Sequence, residues 1–142
     1  MIKGEEILNY IPQRTPIVMI DTFFGLEDQD TSSTALTIAE DNLFVDKATG
    51  KFQDSGLIEH IAQSCAMHMG YESVTRGEGI PLGFIGSVNK LTINRLPVAG
   101  EVLKTSIHFD LRMGNIIQAS TAVHIGEEKI AECKMKLAIV DK

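Results

Sequence analysis

The sequence predicts an α+β fold in which a curved antiparallel sheet wraps around one long buried helix. Three observations predict it. The stretch Gly56–Ala66 is almost wholly apolar, and Leu57, Ile58, Ile61, Ala62, Cys65, Ala66, Met69 and Gly70 cover more than one helical face. Residues from about 101 onward alternate apolar and polar with a period of two, the pattern of strands covered on one face and wet on the other. Short glycine-bearing connections, Met113-Gly-Asn115 and Gly126-Glu-Glu128, separate those strands as hairpins require.

The elements follow in order. Gly4–Tyr10 is expected to form a short helix stopped by Pro12. After Pro12 and Pro16, Ile17–Phe24 reads as a strand, and Thr34–Ala39 as a second one. Asp41–Ser55 is a polar loop, with Ser55 placed to cap the long helix. The helix runs to about Thr75, where Gly77, Gly79 and Pro81 end it. In the strand region three apolar faces stand out: Leu103, Thr105, Ile107, Phe109 and Leu111; then Ile117, Ala119, Thr121, Val123 and Ile125; then Ala131, Cys133, Met135, Leu137 and Ile139. A sheet of this kind has free edges, and pairing one with a second copy would protect it, so a homodimer or higher oligomer is expected.

Composition narrows the function. The 142 residues suit one domain, 1–142, with a real core. A net charge of −6, no basic cluster and 6% aromatic residues argue against nucleic acid. No apolar run approaches the roughly 20 residues that span a bilayer, and no leader pattern opens the chain, so a cytoplasmic protein is expected. Cys65 and Cys133 read as reduced core thiols, and no histidine pair has metal-ligand spacing with a carboxylate, so no metal is expected. Ser55 and Ser64 lack a nucleophile elbow, and Gly77–Gly83 lacks a phosphate-loop lysine.

Glu59 is the residue that invites chemistry. A carboxylate in the first turn of a buried helix must be paired, hydrogen-bonded or protonated, which suits an acid or base. It equally suits the positive end of the helix dipole.

Four segments, in order along the chain, carry a resemblance. These are Ile11-Pro-Gln-Arg-Thr-Pro-Ile-Val-Met-Ile-Asp21, Glu59-His-Ile-Ala-Gln63, Gly83-Phe-Ile-Gly-Ser-Val-Asn-Lys-Leu91 and Arg95-Leu-Pro-Val-Ala-Gly-Glu101. Together they resemble the hotdog-fold 3-hydroxyacyl-(acyl carrier protein) dehydratases. Asn42–Gly50 is most similar to the dehydratase-like subunits of aryl polyene and flexirubin pigment synthesis. The resemblance implies dehydration of a 3-hydroxyacyl thioester, on acyl carrier protein or CoA, to the trans-2-enoyl thioester, with no cofactor. In that family a histidine takes the C2 proton, a helix carboxylate from the other subunit handles the leaving hydroxyl, and a helix-start N–H polarises the thioester carbonyl. Glu59 matches the carboxylate, Gly56 or Leu57 the N–H donor, and Gln63 is expected at the substrate.

The family's histidine loop is here Leu43-Phe-Val-Asp-Lys-Ala-Thr-Gly-Lys-Phe52, without histidine, and the opening motif has Gln13 where the family has another. Asp46 and His60 are the candidates to stand in as base. Phe44, Phe52, Met67, Phe84 and Ile85 are the expected lining of an acyl tunnel. Lys47, Lys51, Lys90 and Arg95 are available to dock an acidic carrier. Three roles stay open: an active dehydratase, a silent partner of a second hotdog subunit that carries the histidine, and a hotdog thioesterase.

Overall fold

The computed structural model describes residues 1–140; residues 141–142 of the expected domain lie outside it. Its elements are β1 (Ile2–Lys3), a 3₁₀ helix (Gly4–Asn9), β2 (Thr22–Asp28), β3 (Thr31–Thr37), α1 (Asp54–Thr75), β4 (Leu82–Ile93), β5 (Val102–Met113), β6 (Ile116–Ile125) and β7 (Glu128–Val140). The strands form one open antiparallel sheet in the order β1-β2-β3-β5-β6-β7-β4, with α1 packed on it as expected.

Leu57, Ile61, Cys65 and Met69 of α1 meet Leu103, Ile107, Ala119, Val123 and Met135 of the sheet. A second cluster covers another side of the helix, where Met67 meets Ile7, Ile11, Ile20 and Phe23. The helix is therefore buried on both sides, which is why its sequence shows no polar stripe. Gly70 permits that closeness: a Cβ there would lie 1.8 Å from the Tyr10 carbonyl oxygen.

A third side of α1 faces β3 and β5 with polar groups. His60, Ser64 and His68, each one helical turn apart, meet Thr105, Thr34 and Ser32 at 2.7, 2.6 and 2.7 Å. Every one of these six residues is buried, and every one is paired, as burial demands.

Several sequence expectations shift. Ile17–Asp21 is not strand: the backbone of Ile17 and Met19 is bonded by α1 side chains, and β2 begins only at Thr22. β3 starts earlier than expected, at Thr31. The helix begins at Asp54 with Gln53 at its cap, so Ser55 lies inside it and caps nothing. A bulge between Phe109 and Leu111 turns Leu111 outward, 41% exposed. The helix end is as expected: Gly77 takes φ +80° while the N–H groups of Gly77 and Glu78 close onto the carbonyls of Val74 and Ser73.

Among the described residues no helix is long and apolar enough to cross a membrane. No cluster of three metal-ligating side chains occurs among them either.

Candidate active site

Glu59 lies in the second turn of α1 and is half-buried, not enclosed. It borders a cavity of about 290 Å³ with Pro12, Gln13, Ala62, Ala66, Phe84 and Ile85 around it. The cavity sits between the middle of α1 and the start of β4. β4 is the outermost strand, so its far edge is unpaired, and Phe84 is 60% exposed on it.

Gln63 holds the carboxylate in place. Its Nε2 donates to Glu59 Oε1 at 2.8 Å and to the Ile17 carbonyl at 2.7 Å, while its Oε1 accepts from the Met19 N–H at 2.6 Å. The Glu-x-x-Ala-Gln spacing puts the two side chains one helical turn apart, on the same face. Gln63 is fully buried behind Glu59 and outside the cavity wall, so it positions the carboxylate where contact with substrate was expected. One oxygen of Glu59 is thus committed, and the other accepts no hydrogen bond from the described residues.

His60 points the other way. Its Nδ1 donates to the Met19 carbonyl at 2.6 Å, and its Nε2 accepts from Thr105 Oγ1 at 2.7 Å. Burial lowers its pKa from the ordinary 6.5 to about 4, against smaller opposing effects of the Met19 carbonyl and Asp21. It is a neutral core residue tying the Ile17–Met19 segment to the sheet. Asp46 is exposed, and its Oδ1 caps its own turn by accepting the Ala48 N–H at 2.9 Å. Neither candidate base borders the Glu59 cavity.

The remaining histidines are also elsewhere. His68 is buried against Ser32 and the Gln29 carbonyl, and burial is the main cause of its lowered pKa. His108 is on the outer sheet face beside Thr31, and His124 is on that same face. Glu59 is the one titratable side chain among the described residues lining its cavity.

Of the expected tunnel lining, Phe84 and Ile85 border the cavity. Phe44 and Phe52 do not: they pack edge-to-face at 6.2 Å over Gly56, where a Cβ would approach them within 2.6–2.7 Å. Met67 is fully buried in the second core cluster. The N–H groups of Gly56 and Leu57, expected to face a thioester carbonyl, both donate to the Gln53 carbonyl, at 3.0 and 3.2 Å. Arg95 is not free for docking: it holds Glu101 through two bonds of 2.9 Å and also reaches Glu128. Lys47, Lys51 and Lys90 are exposed.

A larger cavity, about 670 Å³, lies at the C-terminal end of α1 and shares only Met69 with the first. Its charged groups are already committed, with Arg112 Nη1 and Nη2 on the Glu72 carboxylate at 2.9 and 3.1 Å. Both carboxylates of the larger cavity are ion-paired, Glu72 with Arg112 and Glu78 with Arg76, whereas Glu59 in the smaller one is held by a neutral amide.

A long helix in a curved antiparallel sheet, with a glutamine-held carboxylate beside an edge strand, defines a hotdog-fold protein with a dehydratase-type helix. The chain belongs to the ApeP-like family, whose ApeP dehydratase model matches residues 5–141. It is 28% identical over 141 residues to the 3-hydroxyacyl-[acyl-carrier-protein] dehydratase FabZ of Natranaerobius thermophilus, covering 96% of each chain. It is 26% identical over 148 residues to the FabZ of Clostridioides difficile (strain 630), covering 100% of both. Among solved structures it resembles the dehydratase heterocomplex ApeI:P from Xenorhabdus doucetiae, with TM-score 0.88 and 16% identity over 96% of this chain and 91% of that one. A hypothetical thioesterase with coenzyme A from Streptococcus pneumoniae TIGR4 shares the fold more loosely, with TM-score 0.64 and 7% identity over 84% of this chain and 85% of that one.

Proposed function

We propose that this chain is the carboxylate-bearing subunit of a 3-hydroxyacyl-thioester dehydratase, working on acyl groups carried by acyl carrier protein or CoA. Glu59 protonates the departing 3-hydroxyl, the C3–O bond breaks, and water leaves. The C2 proton goes to a base, and the trans-2-enoyl thioester results. The observation that carries this reading is the isolation of Glu59: its side chain is built into a ligand-sized cavity, and no histidine of the chain lines it. The base then comes from a second hotdog subunit seated on the open β4 edge, beside which the cavity lies. Support for a non-identical partner comes from the similar chain of known structure, which belongs to a dehydratase heterocomplex. The cytoplasmic location expected from the sequence goes with this reading.

The test is to follow loss of conjugated absorbance of a 2-enoyl thioester, with this chain alone and with a histidine-bearing hotdog subunit added. Hydration only in the mixture is expected. Full turnover by this chain alone would overturn the need for a partner. A lone carboxylate also suits activating water for thioester hydrolysis, and release of free thiol in place of hydration would favour that second reading.

A further inference from the structure

Four residues of α1 border the Glu59 cavity: Glu59, Ala62, Ala66 and Met69. They follow at steps of three or four, which puts them on one helical face. The cavity therefore runs along α1, and from Glu59 to Met69 it follows about 15 Å of helix axis. Ala62 and Ala66 carry only methyl groups, so the space stays open along them. Met69 is the first long side chain on this face after Glu59, and it also borders the larger cavity. The sheet keeps the same order: on β7, Leu137 borders the first cavity and Ile139, two residues on and on the same face, borders the second. The two spaces thus lie end to end, and Met69 stands where they meet. Its side chain reaches across to the sheet. Gly83 of β4 pairs with Ile139, and a Cβ on Gly83 would lie 3.9 Å from Met69 Cε and 3.4 Å from Ile139 Cδ1.

We propose that Met69 is the residue that limits acyl-chain length, closing the far end of the groove that starts at Glu59. The assignment rests on the reading of the Glu59 cavity as the acyl-thioester site. With C3 of the substrate beside Glu59, the rest of the acyl chain runs past Ala62 and Ala66 along apolar walls and stops at Met69. The substrates are then 3-hydroxyacyl groups short enough to end before Met69. A longer tail would have to displace Met69 from between α1 and the sheet. It would then enter a cavity edged by the ion pairs Arg112–Glu72 and Arg76–Glu78, where it would strip water from charged groups.

The test uses 3-hydroxyacyl analogues that do not eliminate, with NH in place of the thioester sulfur, attached to acyl carrier protein so that the longest stays soluble. Butanoyl, octanoyl and hexadecanoyl forms are titrated calorimetrically into the protein in its assembled state, with the unacylated carrier as baseline. The wild type is expected to bind the octanoyl form about tenfold or more tighter than the butanoyl form, and to lose that gain with hexadecanoyl. Met69→Ala joins the two cavities and is expected to raise hexadecanoyl affinity about tenfold or more while butanoyl affinity holds. Met69→Val, a smaller change to the core, is expected to shift the limit in the same direction. Ala66→Leu sets a large side chain one turn nearer Glu59 and is expected to remove the octanoyl gain. A wild type that gains as much from hexadecanoyl as from octanoyl would overturn the assignment, and so would an unchanged length profile in folded Met69 variants. If no acylated form binds more tightly than the bare carrier, the acyl-site reading falls and Met69's role falls with it. If the length profile behaves as expected but no hydration is seen in the mixed complex, Met69's role stands and the dehydratase reading does not.

Discussion

Lowering the pH tests the assignment of His60 as a neutral core residue. An unfolded imidazole takes up a proton as pH falls through 6.5, whereas the buried one resists until about 4. Between those values the unfolded state binds the extra proton, so the contribution present above 6.5 is lost as pH falls toward 4. The gap between 6.5 and about 4 corresponds to about 3 kcal/mol. His68, also lowered by burial, adds loss of the same sign. The assay is urea unfolding followed by far-ultraviolet circular dichroism, repeated from about pH 7 down to about pH 4. The control is His60→Asn, which keeps a donor for the Met19 carbonyl but has no proton to gain. Its stability at neutral pH is expected to fall, because the Thr105 hydroxyl loses its acceptor, and its pH dependence is expected to flatten by about 3 kcal/mol. Equal pH dependence in the two proteins would refute this reasoning and return His60 to the candidate bases.

Three further outcomes are expected. Gln63→Leu removes three hydrogen bonds at once; it should lower stability by about 3 kcal/mol and lower kcat more than KM, since Glu59 loses its orientation. Gly70→Ala drives a methyl into the Tyr10 carbonyl; a urea midpoint shift equivalent to about 3 kcal/mol is expected, and an unchanged midpoint would contradict the close packing of the Tyr10 segment on α1. Lys47→Glu with Lys90→Glu should raise KM several-fold for carrier-bound substrate and leave a small thioester unaffected, whereas equal effects on both would dismiss these lysines as a docking surface.

Legibility of the sequence depends on whether the deciding interaction is local. The period-two faces of β5 as far as Phe109, of β6 and of β7, the glycine turns between them and the Gly77 helix end are set by neighbouring residues and are legible; the bulge that turns Leu111 outward is not. Ile17–Met19 is not, because the backbone partners of Ile17 and Met19 include the side chains of His60 and Gln63, more than forty positions away. Ser55 has the chemistry of a cap but lies inside the helix that begins at Asp54. The polar seam of His60, Ser64 and His68 is an i, i+4, i+8 series, a spacing that by itself puts all three on one side of α1. That this side is the one facing β3 and β5 follows from tertiary packing. At the site, the Glu59 and Gln63 spacing is legible because it is helical. Gln13 is visible in the sequence only as a departure from a motif; that it lines the same cavity as Glu59 depends on tertiary packing.

The measurement closest to the central claim is enoyl-thioester hydration by the mixed complex, with Glu59→Gln introduced in this chain only. Glutamine preserves shape and can keep a hydrogen bond to Gln63, so assembly and KM should hold. A fall in kcat of about a hundredfold or more is expected, the scale of a lost general acid. An unchanged kcat in a complex that assembles normally would contradict the assignment of Glu59, and would leave this chain as a scaffold for a site built wholly by its partner.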